Sequence, residues 1–151
     1  MSWQRCDTPA VEYWGEGPLE NTAGQSLMDE MCDNHRRAND ILMFALTGLE
    51  DLSASDEPQV IRGSMATALA ACAITADFLR DRYHYVPHPE VPEDFHYCMI
   101  KKKRSLFVKA RKVLEVYRTM ERHYIDLEWP YPECYQRHRR MLAEMTQRLS
   151  K

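Results

Sequence analysis

The sequence lacks the motifs that common enzyme classes carry. No glycine-rich phosphate loop, Gly-x-Ser-x-Gly elbow or His-Glu-x-x-His pair occurs among its 151 residues, so nucleotide-dependent and common hydrolytic reactions have no signature here. The five cysteines are odd in number and form no Cys-x-x-Cys pair, which argues against a disulfide framework or a zinc knuckle. We therefore expect an intracellular, reducing compartment.

The sequence also lacks a hydrophobic run long enough for an ordinary membrane span. Its longest uncharged stretch, residues 63–76, has 14 residues rich in Ala, Gly, Ser and Thr, whereas a span needs about 20 apolar residues. We predict a buried helix there, whose small side chains let another backbone approach closely, from within the bundle or from another subunit. The N-terminus has no basic start followed by an apolar run, so no secretory signal is expected.

No segment has the pattern of a β-strand, but apolar positions recur every three or four residues over long stretches. One such stripe contains Met99, Leu106, Ala110, Val113, Tyr117, Met120, Tyr124 and Leu127, and only Lys103 interrupts it. A second stripe contains Met28, Met31, His35, Ala38, Leu42, Ala45, Leu49 and Leu52. This spacing predicts long helices with one face covered along its whole length.

Turn-forming residues divide the chain into an arm and four helical regions. The predicted helices cover residues 26–52, 58–85, 93–128 and the region after Pro132. Ser26, followed by Asp29, offers a start for the first of them that resembles a capping box. We therefore predict an all-α protein. Residues 1–25 form an extended N-terminal arm, and residues 26–151 form one domain, an antiparallel bundle of about four helices with a long third helix.

The predicted length of the third helix implies partners. At about 1.5 Å per residue it spans roughly 54 Å, about twice the fourth helix, so neighbours within the chain cannot cover its whole stripe. The arm and the corner before the fourth helix carry aromatic side chains that can anchor a contact. The predicted interface residues are Trp3, Tyr13, Trp14, Trp129, Tyr131 and Tyr135. The alternative for the arm is that it packs back on its own bundle.

Charge is unevenly distributed, although the net charge is only −3. Residues 1–60 carry twelve acidic and three basic side chains, and residues 101–151 carry fourteen basic and six acidic ones. In an antiparallel bundle these halves lie side by side and partly neutralise each other. The run Lys101–Arg104 could meet phosphates, but consecutive positions point around a helix. A solvated face is the preferred interpretation, and no nucleic-acid partner is predicted.

Arg118 and His123 have a spacing used in catalysis. Arg-x4-His is the spacing of the HEPN ribonucleases, which are helical bundles that pair two such sites across a dimer. The resemblance implies RNA cleavage with Arg118 and His123 as catalytic residues. The alternative is a solvated or salt-bridged pair at the edges of the stripe, because Tyr117 and Tyr124 occupy the stripe itself.

Histidines and carboxylates are dense between residues 84 and 96. His84, His88, Glu93 and His96 could bind zinc or another divalent ion. Glu93-x-x-His96 is similar to a ligand pair of ferritin-like di-iron bundles, which need a second Glu-x-x-His that the sequence lacks. We therefore predict a hydrated connector with no metal and no cofactor.

Two further histidines, His35 and His138, lie on the apolar stripes of different helices. Facing histidines inside a bundle can ligate haem or a metal. A neutral histidine bonded to a carbonyl or hydroxyl group is the more common arrangement in a core. We expect that arrangement here.

These features favour a non-catalytic structural or accessory subunit that contacts other protein subunits through the arm and the third helix. A mitochondrial respiratory complex is one setting, since its accessory subunits combine long helices, extended arms and no catalytic motif. Such a subunit attaches to a membrane complex without a span of its own. Val116-Tyr117-Arg118 also resembles the Leu-Tyr-Arg tripeptide of small mitochondrial helical proteins. The alternatives are a HEPN-like ribonuclease and a small helical regulatory protein.

Overall fold

The computed structural model describes residues 11–52, 56–79, 85, 104–125 and 129–150. In these residues the chain forms α1 Thr22–Asp33, α2 Ala38–Glu50, α3 Pro58–Leu79, α4 Arg104–Thr119, α5 Glu121–Ile125 and α6 Pro132–Leu149. The only β-type pairing in this part of the chain is an isolated bridge between Tyr13 and Asn21. The all-α prediction is confirmed for the described residues. Six helices replace the predicted four because two of the predicted helices are broken.

The prediction of one continuous helix over residues 26–52 is wrong, because the helix stops before Asn34 and a second helix begins at Ala38. The Asn34 side-chain amide donates to the Glu30 carbonyl at 3.1 Å, and the Asn34 backbone leaves the helical region at φ −132° and ψ 51°. A side chain that competes for a helix carbonyl favours termination. A 3-10 turn over His35–Arg37 then joins α1 to α2 and leaves His35 exposed. Unlike His35, six residues of the predicted stripe are buried, which confirms the prediction for them: Met28, Met31, Ala38, Leu42, Ala45 and Leu49.

The prediction of one continuous helix over residues 93–128 is also wrong, because the helix breaks at Met120. The Thr119 hydroxyl donates to the Val116 carbonyl at 2.7 Å, and the Met120 amide donates to the Tyr117 carbonyl at 3.0 Å. Bonds that reach back three residues tighten the last turn and end an α-helix. Helix α4 therefore ends at Thr119. The remaining ends of the predicted helix, residues 93–103 and 126–128, lie outside the described residues.

The stripe of α4 is covered inside the protein. Leu106, Ala110, Val113 and Tyr117 are buried, and α4 packs against α2, α3 and α6. The described part of this stripe is therefore covered by helices of the chain itself. Its predicted ends at Met99 and Leu127 lie outside the described residues, so an external partner there stays a prediction.

Helix α3 is the core helix and contacts α1, α2, α4 and α6. Its small side chains at Ala66, Ala68, Ala70, Ala71 and Ala73 are all buried, which lets these helices approach closely. These small residues thus pack against helices of the same chain. Among the described helices, α3 is the one that is long and apolar enough to cross a membrane, over Pro58–Asp77, and 67% of that stretch is buried inside the protein.

Helix α1 begins at Thr22, four residues before the predicted start at Ser26. Asn21 is the N-cap, and its side-chain oxygen accepts a hydrogen bond from the Gly24 amide at 2.8 Å. The Asn21 side-chain amide in turn donates to the Pro18 carbonyl at 3.3 Å, so the same side chain ties the preceding loop to the helix. The last four residues of the predicted arm therefore belong to the first helix.

The described loop of the predicted arm, residues 11–21, packs on the helices. Val11 and Leu19 are each only 1% exposed, and Leu19 belongs to the main core. Gly24 permits this packing, because a Cβ atom at that position would lie only 2.9 Å from the Leu19 Cα atom. The loop therefore covers its own core, which was the alternative left open for the arm.

Candidate protein-interaction surfaces

An open groove of about 510 Å³ lies among α1, α2 and α3. Helix α3 contributes Val60, Gly63, Ser64 and Thr67, and α2 contributes Phe44 and Gly48. A Cβ atom built on Gly48 or Gly63 would meet nothing within 4 Å, so the space beside both glycines is open. The small residues of α3 thus have two effects. The buried alanines let the other helices pack closely against α3, and Gly63, Ser64 and Thr67 on another face leave space for a groove.

Phe44 lies at the edge of this groove and is 82% exposed, more than any other described large apolar side chain. It is on α2, but outside the buried stripe that contains Leu42 and Leu46. Removing a phenylalanine side chain from water is worth about 1.5–3 kcal/mol. The isolated molecule does not gain this free energy, because the ring stays exposed. Binding of a partner that covers the ring would gain it.

Acidic side chains outnumber basic ones around Phe44 and the groove. Glu30 lines the groove, and a depression that also includes Phe44 contains Glu30, Asp40 and Arg37. The Arg37–Asp40 pair is long, at 3.9 Å, and both side chains are exposed, so it is a weak ion pair. Gln59, also in the groove, donates to the Glu57 carboxylate at 2.6 Å. The edge of the groove therefore has a negative charge.

A second candidate region is a cluster of rings that we call the aromatic corner. It consists of Tyr117, Tyr124, Trp129, Tyr135 and His138. The His138 ring centroid lies 4.9 Å from that of Tyr124 and 5.2 Å from that of Trp129, and the Trp129 indole donates to the Tyr124 carbonyl at 2.9 Å. These rings belong to α4, α5, α6 and the turn before α6. The corner therefore holds three helices together.

His138 also attaches the loop of residues 11–21 to α6. Its Nδ1 atom lies 3.3 Å from the Glu16 carbonyl, which can only accept, so Nδ1 carries the proton and donates. Nε2 then accepts from the Tyr117 hydroxyl at 3.1 Å. Next to it, Arg137 forms an ion pair with the Glu16 carboxylate. Burial lowers the pKa of His138 from 6.5 to about 4, despite the opposing effect of the Glu16 carbonyl, so the ring is neutral at pH 7.

Two of the six predicted interface residues, Trp129 and Tyr135, belong to this corner. Tyr13, Trp129 and Tyr135 are partly buried against the core. Trp14 and Tyr131 are 46% and 56% exposed. Trp3 lies outside the described residues. Phe44 was missed, although its position three residues after Ile41 and off the buried stripe of α2 could have identified it.

Arg118 and His123 line different surfaces. Arg118 donates to the Thr146 hydroxyl of α6 at 3.2 Å. His123 lies beyond the break at Met120 and lines an open cleft of about 820 Å³ with residues of α2, α3 and α4. Lys112 and Arg122 also line this cleft, which has an apolar floor. Arg118 is not among the described residues that line this cleft.

The predicted metal candidates His84, His88, Glu93 and His96 lie outside the described residues. Among the residues that are described, no group of three or more His, Cys, Asp or Glu side chains is placed to hold a metal ion. His35 is exposed whereas His138 is buried, so these two do not face each other as a ligand pair.

The two halves of the described chain keep opposite charges. Residues 11–79 carry twelve acidic and three basic side chains where they are described, and residues 104–150 carry ten basic and four acidic ones. Three ion pairs join the halves: Lys109–Glu50, Arg137–Glu16 and Arg148–Asp77. These pairs neutralise part of the charge asymmetry between the halves.

Comparison with protein-family models, curated proteins and solved structures gave no match for this chain.

Proposed function

We propose that the protein is a non-catalytic interaction protein, an accessory subunit that binds another protein through the groove among α1, α2 and α3. The observation that carries this proposal is Phe44, which is 82% exposed at the edge of an open groove. Exposed aromatic side chains beside a concave surface are typical anchors of protein interfaces.

The chemistry of the other candidate sites supports a binding role. Both ring nitrogens of His138 are engaged in hydrogen bonds, and its low pKa keeps it neutral, so it lacks a free position for proton transfer to a substrate. Among the described residues, Cys72 and Cys134 are buried as thiols, which is typical of proteins in a reducing compartment. The proposal does not depend on a long third helix or a free arm, the two features that pointed to a respiratory complex.

The test is purification of the tagged full-length chain from its own cells under native conditions. We expect a partner to co-purify in fixed stoichiometry with the parent chain and to be lost with Phe44→Ser. Val108→Ser is the matched control, because Val108 is another exposed apolar side chain, at 44%, on α4 outside the groove. Retention of the same partners by Phe44→Ser would overturn the proposal. Circular dichroism of each variant verifies that the fold is intact.

A further inference from the structure

We infer that the groove among α1, α2 and α3 binds an amphipathic α-helix with basic side chains, supplied by a different protein; this inference rests on the proposed interaction function and names the class of partner. It follows from three properties of the groove: its shape, its backbone and its charge.

The shape fits the apolar stripe of a helix. Gly63, Ser64 and Thr67 are spaced along α3 and leave the groove shallow, while Phe44 and Val60 project beside it. A docked helix inserts side chains at every third or fourth position, and the open space beside Gly63 accepts such a side chain. Phe44 would then pack between the side chains of the docked stripe.

The backbone around the groove favours a helix over an extended peptide. The groove is formed mainly by residues of α1, α2 and α3, whose inner amides and carbonyls bond within their own helices. An extended peptide that binds by adding a strand needs a strand edge with free donors and acceptors, and this groove has none among its described residues. A helix satisfies its own backbone and needs only side-chain contacts.

The charge favours a basic partner. Glu30 lines the groove, and Glu57 accepts a hydrogen bond from Gln59 of the groove. Asp40 and one basic residue, Arg37, lie with Phe44 in the adjoining depression, so acidic side chains outnumber basic ones here. This half of the protein has nine more acidic than basic side chains among its described residues. Lysine and arginine side chains beside the apolar stripe of a partner would meet these carboxylates at the edge, where they accelerate association and select the partner. A symmetric contact with a second copy would bring two acidic surfaces together, which opposes such a dimer.

The probe is a labelled synthetic peptide of leucine and lysine, about 15 residues long, with leucines at helical spacing. Fluorescence anisotropy with the full chain should show saturable binding at low salt that weakens as salt increases. A leucine–glutamate peptide of the same pattern is the control for charge. We expect it to bind at least about tenfold more weakly.

Two variants locate the binding. Phe44→Ser keeps every charge of the groove, and Gly63→Leu fills the open space without a clash at its Cβ atom. Each should weaken binding of the leucine–lysine peptide by about tenfold or more, whereas Val108→Ser should leave it within about twofold. Equal binding to the parent and Phe44→Ser would overturn the inference, because the peptide would then be held by charge alone.

Other outcomes separate this inference from the proposed function. If a cellular partner is lost with Phe44→Ser but the leucine–lysine peptide fails to bind, the interaction function stands and the basic helix is wrong. If the peptide binds at Phe44 but Phe44→Ser retains every cellular partner, the chemistry of the groove stands and the proposed function fails. A dimer in sedimentation analysis that Phe44→Ser abolishes would replace the basic helix by a second copy and overturn the inference.

Discussion

The aromatic corner and Phe44 show two opposite uses of aromatic side chains in one small protein. In the corner, Tyr117 and Tyr124 stack with their ring centroids 5.4 Å apart, and the polar atoms of His138 and Trp129 have hydrogen-bond partners. Phe44 instead presents most of its ring to water beside an open groove. Aromatic side chains that cluster in this chain fasten its own segments together, whereas the isolated one off the buried stripe is available for binding.

The comparison predicts a large loss of stability when the corner loses a ring and almost none when Phe44 loses its ring. His138→Ala removes a buried ring, leaves a cavity beside three aromatic side chains and deprives the Tyr117 hydroxyl of its acceptor. We expect the free energy of unfolding to fall by about 3–4 kcal/mol. Chemical denaturation followed by circular dichroism measures this value.

Phe44→Ala is the matched control for His138→Ala. Its ring is exposed, so we expect a change within about 0.5 kcal/mol. A loss of several kcal/mol in Phe44→Ala would show that Phe44 belongs to the core in solution. The contrast between the two regions would then be wrong.

Much of this architecture could be predicted from the sequence, because burial follows helical spacing. The buried positions of α2 and α4 agree with the predicted stripes, and His138, predicted to lie on an apolar stripe, is buried in α6. The breaks at Asn34 and Met120 could not be predicted, because each depends on one local hydrogen bond that competes with a helical one.

The groove could not be predicted for a related reason. It needs three helices in fixed relative positions, and two of them, α1 and α2, exist separately only because the chain breaks at Asn34. Phe44 itself was visible in the sequence as an apolar residue outside the stripe of α2. What the sequence did not show was whether another element of the chain covers this ring.

The second prediction concerns the pH dependence of the aromatic corner. Burial lowers the pKa of His138 from 6.5 to about 4. Between these pH values the unfolded chain binds a proton at His138 that the folded protein does not bind, so the free energy of unfolding decreases as the pH falls through this range. We expect this residue to account for a loss of about 2–3 kcal/mol between pH 7 and pH 4.5, and for no change above pH 7.

The control for this prediction is His138→Gln, which has no charge to gain. Denaturation of the parent and the variant over the same pH range separates His138 from the carboxylates, which titrate in both proteins. The parent should lose more stability than His138→Gln on acidification. Parallel pH profiles would mean that His138 is protonated in the folded protein as readily as in the unfolded chain, and that its burial in the corner is not maintained in solution.

The smallest predicted effect distinguishes two glycines, one at the groove and one in the core. Gly63 lies inside α3, where a Cβ atom would meet nothing within 4 Å, so Gly63→Ala should raise the free energy of unfolding by about 0.5–1 kcal/mol through helix propensity. Gly24→Ala in α1 should be destabilising instead, because its Cβ atom would lie 2.9 Å from the Leu19 Cα atom. Thermal and chemical unfolding of both variants measure the two signs. A loss of stability in Gly63→Ala would mean that the groove is closed in the folded protein, and that glycine is required there for packing rather than for access.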